Sequence, residues 1–471
     1  MMVAAPNAAP AAPRGRLAAS LDRLGETLRV HAHAIRRAQW LIVAAYLFFV
    51  IVPALLPLPG DDAHWYNNLA ILAQWLFWGL WWPFVILSML VFGRAWCGFF
   101  CPEGTLTEAA SSIGLGRAVP RWMKWGGWPF VAFALTTIVG QLVSVYQYAP
   151  ATLLILGGSS AAALGVGLIY GRGKRVWCRY LCPVNGVFAV LARLAPVHFR
   201  VDTAAWATNV SRIRAHPVNC APLVRIRRMT GPSECHMCGR CSGLHGAIAL
   251  SPRSPDAEIA ALDGRSARRW DAALIVFGMT GLAIGAFEWS ASSSFVALRS
   301  AAAGWAIDHG PAWLLRDNAP WWLLTHYPEA NDVFTWLDGA LIAGWIVATA
   351  LVVGTWVSAW LVIAARGLGR AAGITAVSLA HALTPLAAMG LFVGLSSLTV
   401  ALARGEGWHV PALTALRITL LLAGAAWSLR LASRQIGTRA RGARRWGVLA
   451  AVAMAIAGVV AAWAPFVFHI A

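Results

Sequence analysis

The chain has 471 residues, 59% hydrophobic and only 12% charged, whereas soluble domains carry about a quarter charged residues. That excludes an ordinary soluble domain and places the chain in a bilayer. The net charge of +19 invites a nucleic-acid reading, which fails once the basic residues are explained by membrane orientation, so no nucleic-acid partner is expected.

In chain order, residues 1–13 are Ala- and Pro-rich and read as disordered. Arg14 to Arg37 reads as a basic leader able to form an interfacial helix. Apolar runs at about 40–58, 69–92, 128–148, 152–170, 272–289, 336–364, 374–400, 412–431 and 447–468 predict nine crossings, each needing about 20 residues. With the N-terminus inside, all but Arg299, Arg316, Arg404 and Arg417 of the 38 Lys and Arg fall on the cytoplasmic side, as the positive-inside rule requires. The C-terminus is then periplasmic, and the membrane a bacterial inner membrane. The first apolar run begins late, unlike a cleaved signal, so the N-terminus is expected to be retained.

Four segments follow from this pass: a cytoplasmic basic segment 1–39, a membrane block 40–171, a cytoplasmic segment 172–271, and a second membrane block 272–471. The expected fold is all-α, a polytopic membrane helix bundle of about nine transmembrane helices with a small cytoplasmic ferredoxin-like iron-sulfur segment. Pro102 and Gly104 are expected to break the helix ahead of a polar turn at Glu108. The segment from Asn185 to Arg269 is polar and rich in proline. A bound cluster is expected to organise it in place of a large core.

The cysteines carry the chemistry. Arg94 to Pro102 reads R-A-W-C-G-F-F-C-P and Arg175 to Pro183 reads R-V-W-C-R-Y-L-C-P, so Arg, Trp, both Cys and Pro recur in register. Cys97, Cys101, Cys178 and Cys182 are therefore duplicated, and ordinary buried cysteine does not explain the repeat. Cys235, Cys238 and Cys241 form C-x2-C-x2-C, and Cys220 stands alone before them. Two-residue spacing lets a loop curl around a cubane so that each thiolate reaches a different iron. Zinc modules more often show two separated C-x2-C knuckles. In a reducing compartment disulfides are disfavoured and ligation is the better reading.

Eight thiolates suffice for two [4Fe-4S] clusters. Where a ferredoxin run would place a fourth cysteine before proline, this chain has His245 and Gly246. Either Cys220 or His245 completes the set, and the spacing leaves open which thiolates share a cluster. Arg94, Arg172, Arg175, Arg179 and Arg240 would favour the reduced, more negative cluster or attract an acidic donor.

R-A-W-C-G-F-F-C-P-E-G, V-W-C-R-Y-L-C-P and C-H-M-C-G-R-C together resemble the membrane polyferredoxins of the NapH and NosR type, over about residues 40–250. That resemblance implies electron transfer between a membrane quinol, or a cytoplasmic donor, and a periplasmic acceptor. Thr325 to Asp332, T-H-Y-P-E-A-N-D, resembles the polyferredoxin subunits of permease-type ferrous iron uptake systems. This second resemblance implies an iron permease and a periplasmic cupredoxin as partners. Besides membrane lipid, the expected partners are thus redox proteins or quinol.

Rival readings keep the clusters. A metal-reducing assembly factor for copper or cytochrome oxidase differs in its acceptor, and a redox sensor lacks sustained electron flow. No nucleophile or acid-base constellation is apparent, so any enzymatic role is that of an electron-transfer component of an oxidoreductase. His381, inside the seventh run, reads as a hydrogen-bonded structural or quinone-side residue, since one histidine cannot supply both axial ligands of a bis-His haem. His326, Glu329 and Asp332 read as a solvated loop rather than an external metal site.

Overall fold

A computed structural model describes residues 15–60, 62–209, 217–437 and 439–469. The expectations for residues 1–13 and for Arg14 fall outside these segments. The chain is a multi-pass membrane protein. Among the described residues, eight helices are long and apolar enough to cross a bilayer: Ala32–Leu55, Leu69–Phe92, Ala149–Tyr170, Arg269–Ala291, Trp336–Leu368, Ala376–Gly405, Leu413–Ile436 and Gly442–Phe468.

The remaining predicted crossing, near 128–148, is a helix of only 15 residues, Trp128–Leu142. At 1.5 Å per residue it is about 22 Å long, short of a hydrocarbon core of about 30 Å. Both its ends are nevertheless packed against the chain around Arg269–Ala291. Just before its start, Trp125 packs edge-on against Trp270, at the beginning of Arg269–Ala291. At its end, the Leu142 carbonyl accepts from Thr325, which follows that span and its outer loop.

Small residues set the closest packing. A Cβ on Gly281 would lie 2.7 Å from the Ala350 Cα, and one on Gly285 2.9 Å from the Ile346 Cα. Span five and Trp336–Leu368 can touch backbone to backbone only because both positions lack a side chain. One buried core crosses the two membrane blocks, from Val85 and Leu191 through Ile284 and Leu386 to Trp463. Three spans contain π-helical stretches, Trp75–Trp81, Leu153–Gly157 and Leu274–Leu282, a feature frequent beside functional sites.

The segment between spans four and five has a modest core of its own. Val197–Val201 pairs antiparallel with Ile248–Pro252, and Phe199, Met237, Leu244 and Leu250 are buried together. The N-terminal helix Arg16–Val30 lies on this sheet. A Cβ at Gly25 would be 3.1 Å from Leu250 and 3.2 Å from Phe199. The basic leader thus covers the cysteine-bearing segment, which its charge pattern did not reveal.

On the far face, Ser293–His309 forms a helix and His326–Tyr327 pairs with Asp332–Val333. Tyr148 stacks on Tyr327 with centroids 3.6 Å apart and its hydroxyl donates to Asp332 at 2.8 Å.

Candidate iron-sulfur centre

Each C-x3-C-P motif forms the same local structure. Ala95–Phe99 and Val176–Tyr180 are single helical turns carrying the first cysteine of each pair on a buried face. Pro102 does not end a helix there; it begins Pro102–Ser112 at the first position, where its missing N–H costs nothing. Cys101 is the N-cap, and its Sγ accepts from the Gly104 N–H at 3.4 Å. Glu108, expected in a polar turn, lies within this helix.

The two turns meet around one cavity of about 340 Å3, lined by Cys97, Cys101, Cys178 and Cys182. Burial first, and then the neighbouring thiols Cys178 and Cys97, push the Cys101 thiol well above its ordinary value. Burial does the same at Cys182 and takes Cys178 up to about 12, against the lowering pull of Arg175. The raised thiols of Cys101, Cys178 and Cys182 would stay protonated on their own, so a cationic centre is needed to hold them as thiolates.

Cys220, Cys235, Cys238 and Cys241 form a second group. Burial and then Cys241, Cys238 and Cys220 raise the Cys235 thiol well above its ordinary value. Cys241 is pushed up to about 12 by burial and by Cys238 and Cys220. The loop turns through left-handed Met237, φ 56°, and Gly239, φ 74°, and the Met237 N–H donates to the Cys235 Sγ at 3.3 Å. His245 packs edge-on against Trp206 with centroids 4.7 Å apart. Of the two residues left open as a fourth member, Cys220 is near enough to raise the Cys235 and Cys241 thiols, and the His245 Nδ1 is buried without a hydrogen-bond partner.

Among the described residues, no three or more His, Cys, Asp or Glu side chains converge closely enough to share a single metal ion. Cys97, Cys101, Cys178 and Cys182 instead surround a space, as they must to reach different corners of a cubane. With buried thiols, N–H donors to sulfur and a cavity, the residues present fit an iron-sulfur cluster.

The two groups adjoin. A Cβ on Gly98 would collide with the His236 carbonyl oxygen and lie 3.2 Å from the Cys238 nitrogen. Arg175, only 2% exposed, donates to the Cys97 carbonyl at 2.7 Å and to Glu108 at 2.7 Å. Glu108 also accepts from Arg240 at 2.6 Å. Burial alone would raise the Glu108 carboxyl, but Arg175 and Arg240 outweigh it and hold it below its ordinary value. One carboxylate therefore ties both C-x3-C-P repeats to the C-x2-C-x2-C run.

The sequence reading missed Glu103, Glu108 and His236 as parts of the site. Glu103 lines the cavity and accepts from Trp177 Nε1 at 3.0 Å, and burial raises its carboxyl. Its place directly after C-P was the available signal. His381 is fully buried at a helix break, its Nδ1 2.8 Å from the Val377 carbonyl oxygen, and stands outside both cysteine groups.

Residues 74–120 and 155–201 each match the 4Fe-4S binding domain family, so the two matches coincide with the duplicated C-x3-C-P units and leave the second cysteine group outside. The chain is 27% identical over 234 residues to the putative electron transport protein YccM of Escherichia coli, covering 43% of this chain and 62% of that one. It is 27% identical over 130 residues to the methylamine utilization ferredoxin-type protein MauN of Paracoccus denitrificans, covering 24% and 44%. With MauN of Methylorubrum extorquens it shares 25% identity over 141 residues, covering 26% and 47%. The chain thus spans between about two fifths and three fifths of the length of these relatives. No solved structure matches it.

Proposed function

We propose, from the premise that this chain belongs to the membrane polyferredoxin type, that it passes electrons through two [4Fe-4S] clusters between a quinol or cytoplasmic donor and a periplasmic or metal-linked acceptor. The observation that carries the reading is the cavity lined by Cys97, Cys101, Cys178 and Cys182, with the C-x2-C-x2-C loop packed against the first of its two turns. Cys97, Cys101, Cys178 and Cys182 would hold one cluster; Cys220, Cys235, Cys238 and Cys241 the other. Such clusters accept and release one electron at a time.

The chain's own residues bury the sites and balance their charge. Arg94 and Arg175 are buried beside the first group, which favours the more negative reduced state. By the distribution of basic residues, we place the cysteine groups on the cytoplasmic side of a bacterial inner membrane and the C-terminus in the periplasm.

A specific observation favours a lipid-soluble quinol as donor. An apolar groove of about 360 Å3 between the first two spans shares Tyr46, Phe77, Trp81 and Trp96 with the cluster cavity. A ring entering from the lipid would thereby reach the cysteine cavity, with the Glu103 carboxyl as the group able to take up its proton. Two electrons leave such a quinol, one for each cluster, and two protons, of which Glu103 takes up one and bulk water at the membrane surface the other.

The acceptor belongs on the far face, where Thr325 to Asp332 forms the short hairpin. A periplasmic cupredoxin working with an iron permease is the finer reading. An assembly factor for copper or cytochrome oxidase would differ only in that acceptor, and a sensor would hold the clusters without turnover.

The test is anaerobic purification in detergent, with iron and acid-labile sulfide counted per chain and EPR recorded after dithionite. About eight irons and eight sulfides are expected, with reduction by a soluble quinol analogue in stopped flow. Stoichiometric zinc without sulfide would sink the reading.

A further inference from the structure

His236 belongs by sequence to the second cysteine group, between Cys235 and Cys238, yet it lines the cavity formed by Cys97, Cys101, Cys178 and Cys182. Two backbone features put it there. Met237 turns through a left-handed conformation immediately after it, and Gly98 removes the side chain that would otherwise strike its carbonyl.

The imidazole is 2% exposed. In either protonation state the ring carries at least one N–H donor. Its Nδ1 is buried and has no hydrogen-bond partner in the protein, a condition that costs about 1–3 kcal/mol when left uncompensated. The group able to compensate it belongs in the cavity the ring lines.

We propose that the His236 imidazole donates a hydrogen bond to the cluster held by Cys97, Cys101, Cys178 and Cys182, so that the second cysteine run supplies a positioning residue to the first site. The inference rests on the two-cluster reading above. Hydrogen bonds to cluster sulfur stabilise the reduced state and raise the potential. His236 thus sets the first cluster's potential from a loop whose own cysteines serve the second.

The experiment is an EPR-monitored redox titration of the full-length protein in detergent, with iron and sulfide counted, for wild type, His236→Phe and His236→Gln. Cys182→Ala assigns which signal belongs to the first cluster. His236→Phe keeps ring bulk but cannot donate; the expected result is unchanged iron, a first-cluster midpoint shifted to more negative potential, and an unmoved second midpoint. His236→Gln keeps a donor and should bring the midpoint back toward wild type.

If His236→Phe loses the cluster, His236→Gln decides: a retained cluster near the wild-type midpoint supports the hydrogen bond, and a lost one overturns it. Unmoved midpoints in a fully loaded His236→Phe also overturn it. A wild-type protein without iron and sulfide would instead overturn the reading beneath it.

Discussion

Gly98 and His236 lie 138 positions apart, yet no side chain larger than hydrogen fits at Gly98 against the His236 carbonyl oxygen. This contact joins the first C-x3-C-P turn to the C-x2-C-x2-C loop and holds the two cysteine groups wall to wall.

Gly98→Ala should separate those walls. The added methyl meets backbone rather than a flexible side chain, so the loop must shift as a unit, at a cost of about 1–3 kcal/mol or more. Iron content after anaerobic purification and the melting temperature in detergent should both fall; a fully loaded variant with wild-type melting would refute the close approach.

Single cysteine substitutions should act by group. Cys220→Ala should remove about half of the iron and one reduced EPR signal, and Cys182→Ala the other signal. His245→Ala should leave the iron count unchanged, because its ring packs on Trp206. Loss of both signals from either cysteine variant would mean that the eight thiols do not divide into these two sets.

Glu108→Ala leaves the buried Arg175 guanidinium without its carboxylate. Removing one partner of a buried pair costs about 3–5 kcal/mol. Because Glu108 also pairs with Arg240, the loss should appear as a lower melting temperature together with faster iron release to a chelator. Glu108→Gln should fall between, since it keeps hydrogen-bonding capacity without the charge.

His198 gives a pH dependence. It sits in the strand Val197–Val201, where burial first and then Arg253 lower its pKa to about 4. The unfolded chain binds this proton below about pH 6.5, while the folded chain resists it. Stability is therefore greatest above pH 6.5 and declines as pH falls toward 4. Allowing for partial exposure, the loss is on the order of 1–2 kcal/mol. His198→Gln should flatten melting temperature against pH across that window, and an unchanged slope would exclude His198 as the source.

The sequence by itself determined the membrane class, the helix-pair duplication and the cysteines as the chemical residues. Runs of apolar residues report bilayer burial directly, and thiol spacing along one loop is a local quantity. It determined crossings only to the extent that apolar length does, which is why Trp128–Leu142 proved shorter than its apolar run.

What only the tertiary structure decided was assembly. Cys101 and Cys182 face one cavity because two distant turns pack together, and Cys220 comes near enough to Cys235 and Cys241 to raise their thiols. Glu108 reads as one charge among many until Arg175 and Arg240 converge on it from other segments. His236 reads as a spacer residue until its loop folds against Gly98. Each depends on contacts between residues far apart in the chain, and spacing along the sequence carries no information about which distant segments will bury one another.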